Sequence, residues 1–138
     1  MLFRSRLLDM NKLALLYYFH PAMGGRTSIK VTLPAVLQSA TSPRIISWLK
    51  NEGLYQKNPA GGITNPYSLL PEPEPIFEGK AVKVKDGGGA MLAYQDMLYG
   101  INKNNEAVKK QYIDGLWKYC KLDTLAMVII WEHWMSLK

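Results

Sequence analysis

The chain has 138 residues, 48% of them hydrophobic and 20% charged. That balance belongs to a folded globular protein, not a disordered one, and the length allows at most one domain with one real core. Seventeen Lys and Arg against eleven Asp and Glu give a net charge of +6 and a pI near 9.4, which favours anionic partners such as nucleic acid through non-specific attraction. The lone cysteine, Cys120, excludes an internal disulfide and points to a cytoplasmic protein. Two histidines are too few for a typical zinc site, and no apolar run approaches the roughly 20 residues of a membrane span.

Residues 1–8 have the outline of a signal peptide, but Asp9 and Lys12 interrupt it and no secretion signal is expected. Residues 6–19 read as an amphipathic helix, with Leu7, Leu8, Met10, Leu13, Leu16 and Tyr17 recurring at three and four. His20-Pro21 ends it, and Met23-Gly24-Gly25-Arg26 is turn chemistry. A second helix spans residues 28–38, capped by Thr27 or Ser28, with Pro34 predicting a kink or two short helices. At its start Arg26, Lys30 and the amides of Gly24 and Gly25 could meet a phosphate; a capped turn with exposed cations fits the same residues.

Ser42-Pro43 starts a third helix, which stops before Gly53, with Leu54 and Tyr55 packing back on it. Residues 56–80 are irregular, rich in Pro and Gly, and end in an extended Pro-Glu repeat. Tyr67, Leu69 and Leu70 are expected to pin this loop to the core. Residues 81–85 alternate apolar and basic and form the one strand-like segment. Asp86-Gly87-Gly88-Gly89 reads as a flexible turn into a helix over 90–99, with Met91, Tyr94 and Leu98 inward. Gly100 closes that helix, and Asn104 or Asn105 opens the last one.

The last third carries the most informative misfit. Val108, Tyr112, Leu116, Tyr119, Met127, Ile130 and Trp134 share one helical stripe, and Asp123 falls on it one turn beyond Tyr119. A carboxylate among apolar positions must be paired, metal-bound, protonated or at a helix end. Asp123-Thr124-Leu125-Ala126-Met127 is an acceptable helix start, which makes Asp123 an N-cap. Alternatively the helix runs on, since no Gly or Pro separates the two residues, and Tyr119 and Asp123 become neighbours at i and i+4. Cys120 is expected to be a buried packing residue.

The stretch YCKLDTLAMV (residues 119–128) resembles the third motif, Tyr-x-x-x-Asp, of DEDDy-type 3′-5′ exonucleases, which have a ribonuclease H-like fold. It is similar to the C-terminal part of a bacterial group, the domain of unknown function 2779 family, regarded as exonuclease-like. Three more stretches resemble that family in order: YYFHPAMGGRTSIKVTLPAVL (17–37), NPYSLLP (65–71) and DGGGAMLAYQDM (86–97). The resemblance implies a mainly α chain, the helical C-terminal portion of a ribonuclease H-like α/β exonuclease domain. One or two short strands at most are expected, in a single partial domain over 1–138. It implies that Tyr119 orients the attacking water and that Asp123 binds metal, Mg2+ or Mn2+, in the complete domain. It also raises interest in His20, Ser28 and Lys30, which with Arg26 are candidate nucleic-acid-binding residues.

The same family pattern requires an early Asp-x-Glu and a middle Asp, and no Asp in this chain is followed two places on by Glu. One carboxylate cannot hold two metal ions. The expectation is therefore a portion that binds no metal and is inactive alone, with nucleic acid and a missing N-terminal half as partners and no membrane. A different reading is a non-catalytic helical protein-interaction module built on Trp131, His133, Trp134 and the strand near Val84. A third is a plain basic nucleic-acid binder using Arg26, Lys30, Lys83, Lys85, Lys109 and Lys110.

Overall fold

A computed structural model describes residues 8–39, 42–71, 84 and 86–137. It is mainly helical, and the described residues include no β-strand. The described residues form the α-helices α1 (Met10–Tyr17), α2 (Ile29–Ser39), α3 (Pro43–Asn51), α4 (Gly87–Tyr99) and α5 (Glu106–Ser136). The chain divides into two compact units: residues 1–65 with 126–138, and residues 66–125.

In the first unit α1 is shorter than the periodicity suggested. The Asp9 carboxylate accepts from the backbone N–H groups of Asn11 (3.0 Å) and Lys12 (3.2 Å), so Asp9 is the N-cap of α1. At the other end the backbone is already extended at Tyr18. Residues 6 and 7 lie outside the described residues. Only Ala14 of α1 is buried, while Leu15, Leu16 and Tyr17 face outward.

A single 3-10 turn, Pro21–Met23, follows and packs on α2. Its exit needs left-handed backbone, and Gly24 (φ 55°) and Gly25 (φ 75°) supply it. Helix α2 runs unbroken through Pro34, so of the kink or two short helices expected there, the two short helices do not form. Thr32, Leu33, Ala35, Val36 and Leu37 are all buried, and this nearly all-round burial holds the helix together across the missing proline N–H.

Helix α3 starts at Pro43, with Ser42 in the cap position but making no side-chain cap bond. It ends in a Schellman closure. The Leu54 N–H donates to the Leu49 carbonyl (2.8 Å) and the Gly53 N–H to the Lys50 carbonyl (3.0 Å), with Gly53 at φ 68°. Tyr55 folds back so that the Lys50 ammonium sits 5.1 Å over its ring.

In the second unit a 3-10 turn, Pro66–Leu69, brings Tyr67 and, just beyond it, Leu70 into the core. Leu69 stays half-buried. The Pro-Glu repeat and most of the strand-like segment, residues 72–83 and 85, lie outside the described residues. Val84 is buried, beside Gly115 of α5.

Two expectations about α4 are corrected. The three glycines are its first turn and not a loop, because the Asp86 carboxylate caps the helix by accepting from the Gly89 N–H (2.7 Å). Its buried residue is Ala93, whereas Met91, Tyr94 and Leu98 are exposed. The helix is apolar nearly all round, so its sequence does not choose a face; the small Ala93 side chain permits the closest approach.

Around the α4–α5 connection the Asp96 carboxylate accepts from Asn102 Nδ2 (2.6 Å) and from the Tyr112 hydroxyl (2.8 Å). Asn102 and Tyr112 are both buried. Asn105 then caps α5, accepting from the Val108 N–H (3.1 Å).

Candidate functional site

Helix α5 is continuous from Glu106 to Ser136, and Asp123 sits in its interior. The N-cap reading of Asp123 therefore fails. Tyr119 and Asp123 are neighbours one turn apart, Tyr119 buried and Asp123 half-buried.

The carboxylate is satisfied from the loop side. Within the same unit the Tyr67 hydroxyl donates to Asp123 Oδ1 at 2.5 Å. The Tyr67 ring lies 6.4 Å from the Tyr119 ring at an interplanar angle of 54°. Burial first, and then the bond to Asp123, push the Tyr67 phenol far above its ordinary ionisation range. Among the described residues Asp123 Oδ2 makes no hydrogen bond or ion pair. The site is thus a phenol, a carboxylate with one engaged oxygen, and a second phenol.

Tyr67 is the residue that sequence reasoning placed only as a loop anchor. Its signal was present in the stretch NPYSLLP, but nothing local ties it to a carboxylate 56 positions away.

The candidate nucleic-acid residues lie around the start of α2, and of their side chains that of His20 is engaged in local structure. His20 Nδ1 accepts from the Ala22 N–H (3.2 Å), capping the 3-10 turn, and its Nε2 lies 3.5 Å from the Ser39 hydroxyl. Of the two glycine amides expected to face a phosphate, the Gly24 N–H donates to the Pro21 carbonyl; the Arg26 N–H donates to the Met23 carbonyl. The Arg26 side chain is exposed and Lys30 half-buried. The Ser28 carbonyl receives the N–H groups of Val31 and Thr32 at the helix start.

At the far end of α5, His133 is buried, with its Nε2 3.5 Å from the Tyr18 hydroxyl. Burial, and then the nearby His20, hold its imidazole below the ordinary histidine range. Trp134 stacks obliquely on Tyr18, ring centres 5.5 Å apart. Met127, expected on the inward stripe, is largely exposed, as is Cys120, expected to be buried.

Among the described residues no group of three or more His, Cys, Asp or Glu side chains comes together. A two-metal centre needs several carboxylates, and Asp123 by itself does not make one. No described helix is long and apolar enough to cross a membrane. No protein-family model, curated protein or solved structure matches the chain.

Proposed function

We propose that this chain is the C-terminal helical part of a metal-dependent, DEDDy-like 3′-5′ exonuclease domain. It contributes the Tyr-x-x-x-Asp pair, Tyr119 and Asp123, and is inactive by itself. The observation that carries the reading is the unbroken helix. It puts the phenol and the carboxylate one turn apart, and among the described residues only one oxygen of Asp123, Oδ1, is engaged. The remaining carboxylates would come from an N-terminal half with an Asp-x-Glu strand. The metal, Mg2+ or Mn2+, would supply the activated water there. The net charge of +6 suits a polyanionic substrate.

The test is degradation of 3′-labelled single-stranded DNA or RNA with magnesium or manganese. The chain alone should leave the label intact. Degradation by the purified chain that disappears in Asp123→Asn would overturn the reading, because one carboxylate would then suffice.

A second reading, a non-catalytic helical interaction module, is favoured by a separate observation. Large apolar side chains stand exposed on α1 (Leu15, Leu16, Tyr17) and on α4 (Met91, Leu92, Tyr99). Surfaces of that kind are ordinarily covered by a partner. A tight complex whose melting is indifferent to divalent metals would favour it over the nuclease reading.

A further inference from the structure

Helix α5 is apolar on two opposite faces. One face carries core residues such as Val108, Tyr112, Leu122, Ala126 and Ile129. The other carries Ile113, Trp117, Cys120, Thr124, Met127 and Trp131, every one of them exposed. Their spacing is four, three, four, three, four, the alternation of a coiled-coil seam. No charged residue interrupts the seam, and Val128 and Met135 widen it. Among the described residues nothing covers this second face, and a contiguous exposed apolar stripe of this length is ordinarily an interaction surface.

We infer that the outer stripe of α5 is a self-association surface, and that its occupant is the same stripe of a second copy of this chain. The alternating spacing selects another α-helix as the partner, because knobs at this period fit the holes of a facing helix. A stripe without charge is complementary to itself, which a two-fold symmetric pair requires. From Ile113 to Met135 the stripe runs about 33 Å along the helix.

The exposed fractions are large: 70% for Trp117, 55% for Ile113, 65% for Met135 and 41% for Trp131. With aromatic side chains worth roughly 150–250 Å² each, the stripe offers on the order of 600 Å² per chain, so a pair reaches the lower end of the range for specific interfaces. The pairing is independent of the nuclease reading, since Tyr119 and Asp123 are not part of this stripe.

Sedimentation equilibrium on the whole chain, from low micromolar to near-millimolar concentration, reads the association directly. The expected mass is twice 15.6 kDa at the upper end. Each chain carries +6, so added salt should tighten the pair by screening like charges, opposite to its effect on nucleic-acid binding.

Trp117→Glu with Met127→Glu should weaken association roughly 100-fold or more, since each charge would have to be buried unpaired. Both positions are exposed, so the helical circular dichroism of this variant should match the parent. Lys118→Glu, also exposed on α5 but outside the stripe, serves as the control and should leave the pair intact. A chain that stays monomeric throughout, or an assembly indifferent to the Trp117 and Met127 changes, would overturn the inference.

Discussion

Removing the Tyr67 hydroxyl tests whether the Asp123 carboxylate is held as described. Tyr67→Phe keeps the buried ring against Tyr119 and deletes only the O–H that reaches Asp123 Oδ1 at 2.5 Å. A hydrogen bond to a charged acceptor contributes about 1.5–3 kcal/mol, and Tyr67→Phe should lose that much. Asp123→Ala should lose a similar amount, because it leaves the phenol without its acceptor. If the two side chains act on each other, the double variant should cost little more than either alone, a coupling of at least about 1 kcal/mol. Urea unfolding followed by circular dichroism measures all four corners of the cycle. Losses that add to within about 0.5 kcal/mol would refute the bond, since additivity is the behaviour of residues that do not touch. An independent readout is the ionisation of Tyr67 in the absorbance of tyrosinate. In Asp123→Ala the phenol should ionise at lower pH than in the parent, yet still above the ordinary tyrosine value of 10.0, because burial is the larger cause.

Other outcomes follow from the same structure. His133 is held below 6.5 when folded, so the unfolded chain binds the proton more readily; stability should be full above pH 6.5 and fall as pH drops below it. His133→Phe, which keeps an aromatic ring beside Tyr18 and Trp134, should flatten that part of the melting profile. Asp96 is held below 3.8, first by Asn102 and then by Tyr112, so its contribution should persist above pH 3.8 and be lost on further acidification. Asp96→Ala, which deprives the buried Asn102 of its acceptor, should cost about 1–3 kcal/mol in a denaturant titration. Gly100→Ala should strike the same cluster, since a Cβ there would lie 2.7 Å from the Asp96 Cα, closer than side chains tolerate; a melting temperature equal to the parent's would contradict that packing.

What could be read from the sequence was chemistry that acts locally. Gly53 marks the end of α3 because the Schellman closure needs left-handed backbone, and Asn105 marks the start of α5 because its amide oxygen can reach Val108. Three local readings failed for a common reason. The glycines at 87–89 look like a loop until Asp86 caps them into α4. Met91, Tyr94 and Leu98 look like a buried face, but α4 is apolar on most of its circumference and packing selects Ala93.

Asp123 satisfies the composition of an N-cap, yet it lies inside α5. The partner that makes a mid-helix carboxylate tolerable is Tyr67, in a 3-10 turn 56 positions away in sequence. Pairings across that distance leave no local trace. Cys120 and Met127 misled in a related way. They are apolar positions of an outer stripe, and apolarity alone does not say which of two faces of α5 meets the core.

The proposal that Tyr119 and Asp123 complete a nuclease site rests on the other carboxylates being encoded beside them. The most direct measurement is the sequence of the DNA immediately upstream of the Met1 codon. The account predicts an open frame that encodes a strand with Asp-x-Glu and a further Asp. An in-frame stop codon directly upstream, with no such half encoded nearby, would contradict it and leave Asp123 as the structural anchor of Tyr67.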